Sequence, residues 1–353
     1  MASTVMYYDS LKGLALKNAL AKLTNADADI IIKADRGPTS YKEYAWVSNA
    51  VDEVLEDQIA WLLKDRLRGG KTSTFFLTSP GNEKNAGDDN SRAYFAFRPR
   101  LLEHITLLPG SNPTQEHSLN TPSEPLVVQV IVPLEAAHEF EIGIGDQLSV
   151  VPYWDDIIPY AKVVVSGVFE RNNPEEEFWR LDDTVFHASH SRTVRTMPFY
   201  ISEKTFMDVL GTAFRDLDST YGWLLDVETN RLNAENASWA HSGINLLNTR
   251  LSTDLLGYHQ ITSLDETLAD YHKRLFFSKL PIFVILTIIA VVILYYVVTL
   301  SSLMVEQQQG EISLLRSRGA SSSQILAVFV VEGFTISILA IIAAPLLASI
   351  VIG

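Results

Sequence analysis

The sequence contains no cysteine, which excludes disulfides, thiolate metal sites and cysteine nucleophiles. Basic residues are scarce: 28 Lys and Arg stand against 42 Asp and Glu, a net charge of −14. That balance excludes nucleic acid as a partner, because neutralising phosphates takes concentrated Lys and Arg. The amino terminus lacks the charged and apolar regions of a signal peptide. A translocated domain would therefore need an upstream membrane segment, and both ends are expected to be cuts through a longer protein. There is no internal repeat. Familiar chemical signatures are missing as well. Gly70-Lys71-Thr72 lacks the first glycine of a phosphate loop, since Asp65 stands in its place. His187 and His190 come without a Glu-containing zinc helix and read as a solvated loop. Glu175-Glu176-Glu177 reads as a solvated acidic face. No catalytic, cofactor-binding or metal-ligating residue is assigned, and neither enzyme activity nor a cofactor is expected.

What the chain does have is unbroken apolar sequence at its carboxyl end. Beyond Lys279 the only Asp, Glu, Lys or Arg residues are Glu306, Glu311, Arg316, Arg318 and Glu332, which leaves 26 basic and 39 acidic residues, net −13, in positions 1–279. Residues 280–305 form a stretch of 26 without a charge. At about 1.5 Å rise per residue such a helix exceeds the roughly 30 Å hydrocarbon core. A second uncharged run covers residues 333–353 and extends back past Glu332 to Ile325. The two runs predict an α-helical transmembrane hairpin in the lipid bilayer. Glu332, near the start of the second span, reads as interfacial or as facing a helix bundle.

Ahead of the hairpin, residues 1–275 read as one α/β (mixed α+β) domain with a β-rich inserted lobe at about 126–198. Helical spacing covers residues 10–23, 41–64, 203–211 and 233–251, with Trp46, Val47, Val51, Val54, Leu55, Ile59 and Leu62 on or near one face of the second. Strands are expected at 28–33, 71–78, 126–132, 147–151, 161–169, 199–202 and 223–227, and a polar loop at 82–90. Ser263 followed by Glu266 has the capping-box pattern. Only Pro281 interrupts the helical sequence after it, so one helix of about 40 residues is expected to run from the domain through the first span (276–305).

Between the spans, residues 306–324 punctuate a turn. Arg316 and Arg318 suit the negative end of a helix dipole, Gly319 suits a left-handed cap, and Ser321 with Gln324 forms a second capping box that starts the last helix (325–353). A short amphipathic helix is expected there, with Ile312, Leu314 and Leu315 facing lipid or a partner. On the residues alone it is equally a plain polar turn.

The run Glu311-Ile312-Ser313-Leu314-Leu315-Arg316-Ser317-Arg318-Gly319-Ala320-Ser321-Ser322-Ser323-Gln324-Ile325 resembles the Glu-Ile-x-x-Leu-Arg-x-x-Gly-Ala-Ser-x-x-Gln-Ile pattern of the FtsX-like permease family of ABC transporters, the MacB and LolC/LolE types. Gly145-Asp146-Gln147-Leu148, Val165-Ser166-Gly167-Val168-Phe169, Asn173-Pro174 and Phe178-Trp179 are similar to the outer-domain pattern of its large members, and Leu264 to Pro281 to their juxtamembrane helix. The resemblance implies a permease that does no chemistry itself. A separate cytoplasmic ATPase subunit would dock on Glu311, Ile312, Leu315, Arg316, Arg318, Gly319, Ala320 and Ser321, and a second permease copy, identical or related, would complete the complex. Residues 1–275 would be extracytoplasmic and the chain multi-pass in the plasma membrane. Lys273, Arg274 and Lys279 at the proposed outer end against Arg316 and Arg318 in the loop lean slightly against this orientation by the positive-inside rule, although large domains translocate largely regardless of charge. Two alternatives stand beside transport: an FtsX-like transmitter of movement to a cell-wall hydrolase, and a membrane-anchored receptor without an ATPase.

Overall fold

A computed structural model describes residues 2–87, 90–112, 117–118, 125–153, 160–186, 194–214 and 216–352. These fall into two compact units, Met1–Leu275 and Phe276–Gly353.

Among the described residues of the first unit, twelve strands form one sheet: β1 (Ile30–Pro38), β2 (Leu63–Thr72), β3 (Phe75–Thr78), β4 (Ser91–Phe97), β5 (Ile105–Leu107), β6 (His117–Ser118), β7 (Leu126–Pro133), β8 (Gln147–Val151), β9 (Ala161–Arg171), β10 (Arg195–Tyr200), β11 (Asp218–Val227) and β12 (His259–Ile261). The helices are α1 (Ala2–Leu20), α2 (Asn25–Ala28), α3 (Tyr41–Gln58), α4 (Leu134–Glu139), α5 (Arg180–Thr184), α6 (Gly211–Ala213) and α7 (Ala237–Asp254), with α8 (Leu264–Gln307) starting in this unit.

The sheet runs β10-β7-β9-β8-β3-β4, and β10 also pairs in parallel with β4 from Arg195 opposite Ser91 to Tyr200 opposite Ala96. These strands therefore close into a ring. From the far half of β4 the sheet continues outward as β2-β11-β1-β12. The region expected as an inserted lobe is thus part of the common sheet: β8 pairs with β3, and β10 with β4. Alternate residues along β7 and β9, including Val128, Val130, Val163 and Val165, are buried in one apolar cluster with Phe75, Phe95 and Phe199. Phe95 lies 5.6 Å from each of the other two rings, within the range of favourable aromatic pairing. The turn before β8 is fixed by Gly145, at φ +95°, whose N–H donates to Val165 O at 2.8 Å while the Val165 N–H returns to Asp146 O at 3.0 Å.

Several expected elements differ in extent, three of them instructively. Helix α3 starts where Ser40 Oγ accepts the Glu43 N–H at 3.3 Å and buries Tyr44, Val47, Val51, Val54 and Leu55, but it ends at Gln58, not at residue 64. The Ile59 N–H closes its last turn on Leu55 O, and Leu63 is already paired with Val227 in β2. Trp46, expected on the buried face, is 62 % exposed. The strand expected at 71–78 is two strands, because at Ser73 the chain leaves β11 and enters the ring. Helix α7 begins at Ala237, after a turn in which Asn233 Oδ1 accepts the Asn236 N–H at 3.1 Å. It approaches α3 closely at Gly243, where a Cβ would lie 3.1 Å from Gln58 O.

Helix α8 is anchored by its first turns. Leu264, Leu268 and Tyr271 are buried, and the Tyr271 hydroxyl donates to Lys12 O at 3.3 Å. Thr262, rather than the expected Ser263, supplies the hydroxyl at this helix start, accepting the Leu264 N–H at 3.2 Å.

Two buried charge clusters stitch the unit together. Arg98, whose side chain is fully buried, places Nε 3.4 Å from Asp182 Oδ2, a contact with ion-pair distance but without hydrogen-bond alignment. Its other nitrogens donate to the carbonyls of Arg68 and Phe178, and its guanidinium lies 4.6 Å from the Phe178 ring centre. Asp182 Oδ1 accepts the Tyr200 hydroxyl at 3.2 Å. Burial raises the Asp182 carboxyl above its ordinary range, against the pull of Arg98. In the second cluster Asp29 accepts the Val227 N–H at 3.0 Å and a bond from Arg180. Burial first, then a hydrogen bond with Glu177, pushes the Asp29 carboxyl from 3.8 up to about 8.

Replacing Arg98 with Met strands a buried carboxylate and is expected to cost about 3–5 kcal/mol in urea unfolding followed by tryptophan fluorescence; Arg98→Met with Asp182→Leu recovers a large part of that loss. For Asp29, the folded state holds a proton that the unfolded chain releases above about pH 4. Stability contributed by this site is therefore present at low pH and declines as pH rises toward about 8. Thermal unfolding at about pH 5 and about pH 8 should show that decline in the parent and a shallower one in Asp29→Asn.

Candidate functional site

The second unit holds the rest of α8, then α9 (Gln309–Ser317) and α10 (Ser322–Ile352). Helix α8 passes through Pro281 without ending, and every side chain described between Phe276 and Met304 is exposed. A helix apolar on all sides has no stable place in water. Among the described residues, Leu264–Met304 is the one helix long and apolar enough to cross a membrane. Glu332 lies within α10, the apolar helix that closes the chain.

Between α8 and α10 the chain makes a tight, fully hydrogen-bonded turn. The Ile312 N–H donates to Gln308 O at 3.0 Å, which starts α9. At its end Gly319 adopts φ +90°, the Gly319 N–H donates to Arg316 O at 3.0 Å and the Ala320 N–H to Leu315 O at 3.1 Å. This is the Schellman arrangement, which satisfies the last carbonyls of a helix and which a side chain at the left-handed position would strain. Two residues later the next helix is capped reciprocally: Ser321 Oγ accepts the Gln324 N–H at 3.3 Å, and the Ser321 N–H donates to Gln324 Oε1 at 3.0 Å. Both punctuation marks expected at Gly319 and Ser321 are present. The structure adds a clasp that sequence spacing did not reveal, from Arg316 Nη2 to Ser322 Oγ at 3.2 Å.

The turn presents a mixed surface. Leu314 and Leu315 are 59 % and 42 % exposed, and Arg316, Arg318 and Gly319 are exposed beside them, while Ile312 and Ala320 are half-buried. Glu311 lies on α9, with its side chain outside the description. Two guanidinium groups stand next to exposed leucines on this turn.

Elsewhere, Lys71 is no phosphate ligand: it sits in β2, donates to Phe186 O at 3.0 Å and lies 5.3 Å from the Tyr94 ring centre. Burial lowers its pKa. The acidic run at 175–177 is not simply solvated. Glu176 meets His104 Nδ1 at 2.9 Å, and Glu177 joins Asp29 and Asp226, their carboxylate oxygens within 4.8 Å of one another. Such a group could hold a cation, but Arg180 and, 3.0 Å from Asp226, Lys64 already balance it. His187 and His190 lie outside the described residues.

Comparison with curated proteins found no match. Residues 283–353 match the family model described as FtsX-like permease C-terminal, and over this stretch, which contains the capped turn and α10, the chain is similar to the FtsX-like permeases.

Proposed function

We propose that the chain is the permease subunit of an ABC transporter. In this reading α8 and α10 cross the plasma membrane as a hairpin, residues 1–275 lie outside, and the α9 turn receives a separate cytoplasmic ATPase. The observation that carries the reading is that turn. Its backbone is locked by the Schellman stop and the Ser321 cap, it exposes Arg316, Arg318, Leu314 and Leu315, and it falls inside the segment similar to FtsX-like permeases. A locked turn transmits force from a docked partner, because its hydrogen bonds leave it little freedom to absorb it.

Helix α8 gives that force a route. It runs as one helix from Leu264 to Gln307 with Pro281, which lacks an N–H, inside it, and its first turns are buried in the sheet domain at Leu264, Leu268 and Tyr271. Burial of each such side chain contributes on the order of 1.5–3 kcal/mol, so displacement of the helix is resisted by the domain. ATP-driven movement of the outer domain would export or extract a lipid, lipoprotein, peptide or drug. The same linkage without transport would regulate an external hydrolase.

Co-purification from native membranes tests the docking. The parent chain should retain an ATPase subunit. Gly319→Val, which costs about 1–2 kcal/mol at the left-handed position, and Arg316→Glu should lose most of it. Failure of the parent to retain any ATPase, or undiminished recovery with both variants, would sink the proposal. Orientation has its own test, made clean by the absence of cysteine. Ser252→Cys should react with an impermeant maleimide on intact cells, and Ser317→Cys only after permeabilisation; the reverse pattern would invert the topology.

A further inference from the structure

A cavity of about 350 Å³ opens on the outer side of the strand ring, beneath α4 and α5. Its chemistry is set by Tyr94 on β4, Tyr200 on β10, Glu135 and Glu139 on α4, Arg171 on β9 and Asp182 on α5. The rings of Pro133, Pro174 and Pro198 complete its walls. The volume suits a small organic ligand.

Most of the polar lining is already engaged. Asp182 is held by Tyr200 and Arg98. Arg171 pairs with Asp183 at 3.5 Å and lies 4.4 Å from the Trp179 ring centre. Besides the Thr196 hydroxyl on β10, three groups are not engaged. Tyr94 is only 7 % exposed, yet its hydroxyl has no hydrogen-bond partner among the described residues. One face of its ring is taken by Lys71, so what it offers the cavity is its phenolic oxygen. Burial raises its pKa well above the ordinary phenol range, and the group stays neutral. Glu135 and Glu139 stand four residues apart on α4, on one face, where like charges repel. Neither carboxylate has an ion-pair partner among the described residues. The nearby Arg195 is turned away, donating to the Glu139 carbonyl at 3.0 Å and lying 4.8 Å from the Phe140 ring centre.

A largely buried phenol, two exposed carboxylates without ion-pair partners and proline walls set the kind of ligand that the cavity suits. It carries a positive charge that relieves the glutamates, has N–H groups to give to three oxygens, and brings an apolar stem for the proline-lined wall. The cavity's carboxylates do not converge in threes at metal-ligand spacing among the described residues, which disfavours a bare metal ion. We infer that this cavity binds a primary ammonium group on a short apolar stem, whether a free alkylamine or the side chain of a lysine in a peptide. The site lies wholly within the first unit and does not depend on the role of the α9 turn.

Calorimetric titration of the full chain in detergent tests this, with n-butylammonium as the charged probe, n-butanol as its neutral match and acetyl-Gly-Lys-Gly-amide as the peptide. Butylammonium should bind saturably at one site and butanol should not. Tyr94→Phe, which keeps the ring, and the surface double variant Glu135→Gln/Glu139→Gln should each weaken binding by about tenfold or more, in line with loss of a hydrogen bond to a charged group. Both variants are first checked for parental circular dichroism and thermal unfolding. Tighter binding of the peptide than of butylammonium assigns the natural source to a lysine side chain, and the opposite ranking assigns it to a free amine. The inference is overturned if neither cation binds saturably, if butanol binds as well as butylammonium, or if properly folded variants bind like the parent.

Discussion

The buried guanidinium of Arg98 is the contact on which the sheet domain is organised. It leaves the end of β4 and reaches β2 through the Arg68 carbonyl, the segment before α5 through Phe178, and α5 itself through Asp182, which in turn holds β10 through Tyr200. The closed ring and the open sheet meet at this point. A buried cation is costly to desolvate, and the site tolerates it because every direction from the guanidinium ends on an oxygen or an aromatic face. Packing alone would hold these elements near one another, whereas the charge fixes which atoms must face inward. Gly69 is part of the same constraint: a Cβ there would lie 2.8 Å from Arg98 Cδ.

The elements that could be read from sequence are those whose cause is local. The capping pair at Ser321 and the left-handed Gly319 are each written within a few residues, and each is present, whereas the pair expected at Ser263 gives way to the neighbouring Thr262 hydroxyl. The long helix through Pro281 follows equally from an unbroken run of residues that favour helix in an apolar setting. What could not be read is partnership. Nothing in residues 195–200 announces that this strand lies parallel to 91–96, and so the ring looked like an inserted lobe. The end of α3 was hidden for the same reason, since residues 59–64 keep helical spacing but Leu63 is already claimed by pairing with β11. Glu177 looked solvated because its partner, Asp29, lies far away in the chain. In the candidate docking turn the backbone was legible almost atom by atom. The clasp from Arg316 to Ser322 was not, because a long side chain folding back over a turn leaves no periodic trace.

Closure of the ring by β4 and β10 also has a kinetic side. The two strands are about a hundred residues apart, and contacts of such separation form late, after loop entropy has been overcome. Until they do, the valine-rich strands β7 and β9 can present open edges to other chains. In the finished domain that hazard is gone, and the free end of the main sheet path is left to β12, a strand of three residues. Protection against edge-to-edge aggregation is therefore a property of the completed fold and not of its parts.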